Sequence, residues 1–417
     1  MSATVPPPVR RLHDRPVVEA GSVPGYGAIF NAGLIFHEGE YHLFARGVRE
    51  GYRRNDGTGP RFLDYISDVL VLTSIDGRDY RFGYVLARAG DADVHCYEDP
   101  RVQRVRHDGE DRFVMTYTSL PPEDGRPWRI GAHRLVWREG RFHLDESTGR
   151  LLGPSDIANK DAIVFSLSDG RVAMIHRIHP DMQLAVFDDL DHLWHAGPEY
   201  WDPYMSDLES HTLMRPTPGA LGIGAGAPPV ATDEGLLLFF HERRADGVYT
   251  ANVALLDPDT GRLISRLDQP LLEPELHWER EGDVDNVVFV QGAHREDDTV
   301  YLTYGAADRC VGVATAKISH LVDALSRAAE SAAAPQRPIA EGGVDSRPAP
   351  RTSRHATMVA TNAIDDSAPS LRLTPCRPSP SYPPPVASSY IATPTSLSPR
   401  NHAAARSTWR AQNASPV

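Results

Sequence analysis

The chain has 417 residues, is 41% hydrophobic and carries a formal net charge of −13 with a pI near 5.7. That length sustains a sizeable core in one large or two ordinary domains, while the acidic balance argues against nucleic acid or an anionic membrane as partner, since both demand basic surface. Three cysteines, Cys96, Cys310 and Cys376, are too few and too scattered for a disulfide framework or a zinc site.

The first 25 residues are rich in Pro and Arg and read as an extended lead-in. They contain no apolar core of signal-peptide length, and no later stretch is apolar enough to span a bilayer, so a cytoplasmic protein is expected. A pattern then begins, in which a polar or glycine-containing turn precedes a short apolar strand, a tight turn and a second strand that ends in a charged residue. Its first copy is Asn31-Ala32-Gly33-Leu34-Ile35-Phe36, closing on Phe44-Ala45-Arg46-Gly47. The second opens on Glu98-Asp99-Pro100-Arg101-Val102, where Pro100 ends any helix and two carboxylates stand beside an arginine, and continues in Arg112-Phe113-Val114-Met115-Thr116-Tyr117. Asn159-Lys160-Asp161-Ala162 with Ile175-His176-Arg177 forms the third. The fourth is Gly224-Ala225-Gly226-Ala227-Pro228-Pro229 with Leu238-Phe239-Phe240-His241. The fifth is Asp285-Asn286-Val287-Val288 with Tyr304-Gly305-Ala306-Ala307-Asp308.

Five copies at roughly 60–70 residues, each with strand enough for four, predict an all-β, five-bladed β-propeller over residues 26–317. A two-sheet sandwich predicts no such period. An amphipathic pattern over 318–334 predicts one C-terminal helix, stopped by Pro335, and residues 335–417, rich in Pro, Ser and Ala, are expected to be a disordered tail. In a propeller, equivalent turns of successive blades converge at one end of the axis. The converging set is Asn31, Arg46, Asp99, Arg101, Lys160, Asp161, Arg177, His241, Asp285 and Asp308. Carboxylates and an amide suit sugar hydroxyls; arginine, lysine and histidine suit a phosphate. A carboxylic acid among them can protonate a leaving glycosidic oxygen.

Several neighbouring features carry less. The stretch 224–229 lacks the Lys-Ser/Thr and the helix of a phosphate-cradling loop. His176/His179 and His37/His42 have no third ligand at a metal-binding spacing, and no metal is expected. The aromatic group Trp194, Tyr200, Trp201 and Tyr204 fits inter-blade packing and a sugar platform equally well.

Taken together and in this order, the quoted stretches resemble glycoside hydrolase family 130, the β-mannoside phosphorylases and related β-mannosidases on five-bladed propellers, over about residues 25–330. The resemblance implies Asp99 as general acid, acting through a mannose hydroxyl. It implies Asn31, Arg46 and Asp308 as holders of the mannosyl unit, with Arg101, Asp161, Asp285 and Tyr304 completing the substrate contacts. Lys160, Arg177 and His241 are implied as the phosphate site. The implied reaction is inverting phosphorolysis that releases α-mannose 1-phosphate, with an oligosaccharide and inorganic phosphate as substrates and no other cofactor; a homo-oligomer is left open. The chain departs from the family at Gly222, where the phosphorylases usually carry a phosphate-contacting lysine, and at Glu242-Arg243, where glycine is commoner after the histidine. Arg243 would replace the missing charge, or Glu242 would repel phosphate and mark an inverting β-mannosidase that uses water. A non-catalytic glycan-binding propeller is the third alternative.

Overall fold

The computed structural model describes residues 9–55, 61–90, 94–121 and 126–333. The chain divides into a unit spanning Met1–Ile339 and a second, Ala340–Val417. The expected disordered tail, 335–417, and Cys376 within it lie outside the described residues.

Five antiparallel sheets of four or five strands follow one another along the chain, as the repeat predicts. Tyr26–His37, Cys96–His107, Lys160–Ser166, Gly222–Ala225 and Val288–Glu296 are the first strands of their sheets, and they neighbour one another around the axis. The blades pack face to face, so each inner strand buries both faces. Phe239 joins the apolar cluster that links the fourth and fifth blades, and Phe240, one residue on, joins the cluster that links the third and fourth. Alternation of side chains across a strand, with core on either side, explains why the run Leu236-Leu237-Leu238-Phe239-Phe240 is continuously apolar. Burying each phenylalanine is worth about 1.5–3 kcal/mol.

The lead-in differs from expectation. Arg10–Arg11 is a two-residue strand that pairs with Cys310–Lys317, Arg10 opposite Thr315, and so supplies the outermost strand of the last blade. Arg11 then reaches across to Glu279, which is 0% exposed, donating from Nε at 2.7 Å and from Nη2 at 2.9 Å. The ring is closed by the two ends of the propeller, through contacts that no local pattern announces.

Among the described residues four α-helices accompany the strands. α1 (Leu190–His195) and α2 (Pro198–Ser206) cap the third blade and bury Trp194, Trp201 and Tyr204 against the second and third blades, which decides for packing over a sugar platform. α3 (His277–Arg280) carries Glu279. α4 (Ile318–Ala333) is the expected C-terminal helix, packed through Ile318, Leu321, Val322 and Leu325. Among the described residues no helix is long and apolar enough to cross a membrane.

Candidate active site

Three polar residues of the repeat, Asn31, Asp99 and Asp161, stand on β-bulges in the inner strands, where the sequence pattern predicts turns. Register shifts fall between Phe30 and Ala32, between Glu98 and Arg101 and between Lys160 and Ile163. At these bulges Asn31, Asp99 and Asp161 adopt φ of 46°, 50° and 55°, and Asp308, in the turn after Ala306, adopts 51°. Asn and Asp tolerate this left-handed region better than other non-glycine residues. A fourth bulge, between Val290 and Gly292, frees Gln291 to tie the ring together: its Nε2 donates to Asn31 O and Pro100 O, both at 2.9 Å.

A cavity of about 990 Å³ opens over these bulges, lined among others by Asn31, Arg46, Glu98, Asp99, Lys160, Arg177, His241 and Asp308. Its two sides differ in charge. On the acidic side Asn31 Nδ2 donates to Asp99 Oδ1 at 2.8 Å, and Arg46 Nη1 reaches the same oxygen at 3.5 Å. Both contacts fall on Oδ1, and among the described residues none falls on Oδ2. Arg46 also pairs with Glu98 and lies over the rings of Phe30 and Tyr65 at 5.1 and 5.2 Å. Asp308 has its carboxyl pushed up to about 7, first by burial and then, against the pull of Arg46, by Asp99, Glu98 and Asp283.

On the basic side Arg177 Nε sits 3.2 Å from Asp161 Oδ2 and Lys160 lies 6.0 Å from the centre of the half-exposed Trp128 ring. His241 packs against Phe289 in a tilted arrangement, with ring centres 4.1 Å apart. Burial pushes its ring down to about 3, with Asp161 opposing and Arg177 and Arg101 assisting, so His241 is neutral at pH 7 and offers one N–H and one lone pair. Its Nδ1 is buried without a hydrogen-bond partner, as are Asn31 Oδ1 and Arg46 Nε.

Not every expected residue reaches the cavity. Arg101, 0% exposed, lies beneath the floor: it donates to Gly226 O and Ala225 O at 2.8 Å each, to its own blade at Asp99 O, and stands 3.3 Å from Asp161 Oδ1. Asp161, 2% exposed, is shared by Arg101, Arg177 and His241. Burial pushes its carboxyl up, and Arg177, Lys160, His241 and Arg101 more than reverse that, holding it below the usual carboxylate range. Both residues lie outside the cavity lining. Tyr304 is a correction: its hydroxyl donates to Glu279 Oε1 at 2.8 Å and its ring stacks on Trp278, inside the fifth blade. Asp285 is another: it is exposed and its Oδ1 accepts from Gly282 N at 3.2 Å, away from the cavity.

The structure adds Glu98, Tyr65, Trp128, Tyr249 and Phe289 to the lining. Glu98 stands beside Asp99 in the sequence, whereas Tyr65 follows the short strand Phe62–Leu63, which pairs with Arg53–Arg54 and carries no repeat signal. Three of the four paired histidines have packing partners, and His179 is exposed. His176 contacts Asn159 Oδ1 and the Tyr204 hydroxyl at 3.1 and 2.9 Å, and His37 and His42 pack against Trp137 and Phe142. Glu242 faces away from the cavity: its carboxylate accepts from Thr217 N and Oγ1 and lies 3.6 Å from Arg266.

Fold and cavity together define a five-bladed propeller with a polar cavity over the bulges of its inner strands. The family model described as beta-1,4-mannooligosaccharide phosphorylase matches residues 6–327, and the chain belongs to that family, glycoside hydrolase family 130. It is 31% identical to a 1,2-beta-oligomannan phosphorylase of Thermoanaerobacter sp. (strain X514), over 73% of this chain and 96% of that one. It is 36% identical to a beta-1,4-mannooligosaccharide phosphorylase of Ruminococcus albus, over 75% and 89%. Among solved structures, the beta-1,2-mannobiose phosphorylase of Listeria innocua superposes with a TM-score of 0.60 at 21% identity, covering 76% of this chain and 99% of that one, which speaks to the fold.

Proposed function

We propose that this enzyme cleaves β-mannosides by inverting phosphorolysis and releases α-mannose 1-phosphate. The observation that carries the reading is the division of the cavity, with Asp99 and its unengaged Oδ2 on one side and Lys160 and Arg177 on the other. A mannosyl unit held between them by Asn31, Arg46 and Asp308 has its anomeric carbon facing the cations. A phosphate oxygen attacks that carbon while its bond to the bridging oxygen breaks. Asp99 supplies the proton that the departing sugar oxygen takes up, relayed through a mannose hydroxyl. The attacking group is already an anion, so no second carboxylate is needed to activate water. Lys160 and Arg177 offset the charge of the dianion, and neutral His241 donates its N–H. The orientation of Glu242 away from the cavity supports phosphate over water, because no added carboxylate repels the anion.

Hydrolysis by water is the second reading, and Gly222 favours it, since no side chain there assists the anion. Incubation with β-1,2- and β-1,4-mannobiose, with and without inorganic phosphate, separates the two. Phosphorolysis gives phosphate-dependent sugar release and α-mannose 1-phosphate; release that is indifferent to phosphate refutes it.

A further inference from the structure

The strands Gly222–Ala225 and Leu236–Arg243 run antiparallel, with Gly224 opposite His241 and Gly222 opposite Arg243. Directly opposed residues present their side chains on the same face. Gly224 fixes which face this is: a Cβ there would lie 2.4 Å from Asp161 Oδ2 and 2.6 Å from the His241 ring. Gly222 shares that face two residues along, and there the space is open. A Cβ at 222 would meet only Arg177 Nη1 at 3.9 Å and the His179 ring at 4.0 Å. Arg243 therefore stands on the same sheet face as His241, one pair beyond it and just outside the cavity lining, while Glu242 between the two points the other way.

The guanidinium of Arg243 lies 5.6 Å from the centre of the Tyr249 ring, and Tyr249 lines the cavity. The side chain is half-buried and its Nε is buried without a partner. Among the described residues no carboxylate pairs with it. The carboxylate beneath this wall, Asp161, is already taken by Arg101 and Arg177. A half-buried guanidinium without a counterion is costly unless an anion visits it.

We infer that Arg243 is a phosphate-binding residue of this enzyme, which supplies from the opposite strand the cation that Gly222 cannot. The inference rests on the phosphorolytic reading above. The ligand class is a phosphate dianion, as inorganic phosphate or as the phosphoryl group of the sugar phosphate, held jointly with Lys160 and Arg177. A guanidinium offers two parallel N–H donors to such a group.

The experiment compares wild type, Arg243→Leu, Arg243→Lys and the double variant Arg243→Leu/Gly222→Lys, by steady-state kinetics and by titration calorimetry with inorganic phosphate. Loss of one charge-assisted contact predicts that Arg243→Leu raises the phosphate KM and Kd about ten- to a hundredfold, with the KM for β-mannobiose unchanged. Arg243→Lys, and lysine placed at 222 in the double variant, recover most of that loss. If Arg243→Leu does not fold, Arg243→Gln, which keeps the polar stem and drops the charge, carries the same readout. An unchanged phosphate KM in a wild type that depends on phosphate overturns the assignment of Arg243 alone, and so do phosphate and mannoside KM values that rise together. A wild type whose sugar release ignores phosphate, and which shows no phosphate binding, overturns the phosphorolytic reading and this inference with it.

Discussion

Asp161→Asn removes one charge from the buried hub of the propeller and leaves its shape in place. Asp161 stands 3.3 Å from Arg101 Nη2 and 3.2 Å from Arg177 Nε, and Arg101 is 0% exposed. Removing one partner of a buried pair costs about 3–5 kcal/mol, because the other charge stays buried and uncompensated. Arg101 keeps its bonds to Gly226 O, Ala225 O and Asp99 O, and the asparagine carbonyl keeps one acceptor. The lower end, about 3 kcal/mol, is therefore expected at pH 7. The carboxyl of Asp161 is held below its usual range in the folded protein. Its contribution is thus present above the unfolded value of about 4 and lost as pH falls through the folded one. Urea unfolding of wild type and variant at pH 7 and at successively lower pH measures both effects. The gap should narrow as the pH drops below about 4. A gap under about 1 kcal/mol at pH 7, or one that does not change with acid, refutes the hub as described.

Asp99→Asn should lower kcat about 10²–10⁴-fold with little change in the mannoside KM, by steady-state assay; retained turnover removes Asp99 as the acid. Asp308, with its carboxyl raised to about 7, contributes stability that is fully present below the unfolded value near 4 and lost as pH rises through about 7. Asp308→Asn should therefore melt closer to wild type at pH 5 and gain on it by about 1–3 kcal/mol at pH 8, the full shift being reduced by water in the cavity. Arg11→Ala should lower the melting point, equivalent to about 3 kcal/mol, because Glu279 is left buried without its cation. The phosphate KM should stay as it was, since the ring closure lies outside the cavity.

Much of the fold was legible because a propeller strand buries both faces and so announces itself as an apolar run, repeated at a fixed interval. The C-terminal helix was legible from its periodicity. The closure through Arg10–Arg11 was not, since a two-residue strand has no period and its partner lies some three hundred residues away. Helices α1 and α2 were missed because both are short and α2 carries Pro203 within it. Tyr304 and Asp285 went astray for a different reason. Tyr304 lies in the strand opposite the Val290/Gly292 bulge, where side-chain parity shifts by a residue, whereas Asp285 lies in the irregular segment before Val288, where no strand period sets its direction. The same parity governs Glu242 and Arg243, one of which sits against Thr217 and the other beside the cavity, a distinction that only the observed pairing of Gly222 with Arg243 supplies.

The bulges also explain why the chemistry falls on the residue types it does. A backbone in the left-handed region costs most L residues about 1–2 kcal/mol, and Asn and Asp bear it more readily because a short polar side chain bonds locally. Three successive inner strands use that conformation, at Asn31, Asp99 and Asp161, to break the ladder where the axis is reached. The residue types that the backbone accepts are therefore the amide and carboxylates that a sugar and a cation cluster require. A substitution at these positions changes two things at once. Asp99→Ala removes the acid and strains the bulge, whereas Asp99→Asn removes the acid and keeps the conformation. Loss of activity in the alanine variant alone would not separate catalysis from geometry; loss in the asparagine variant, with folding and mannoside KM retained, assigns the proton to Asp99.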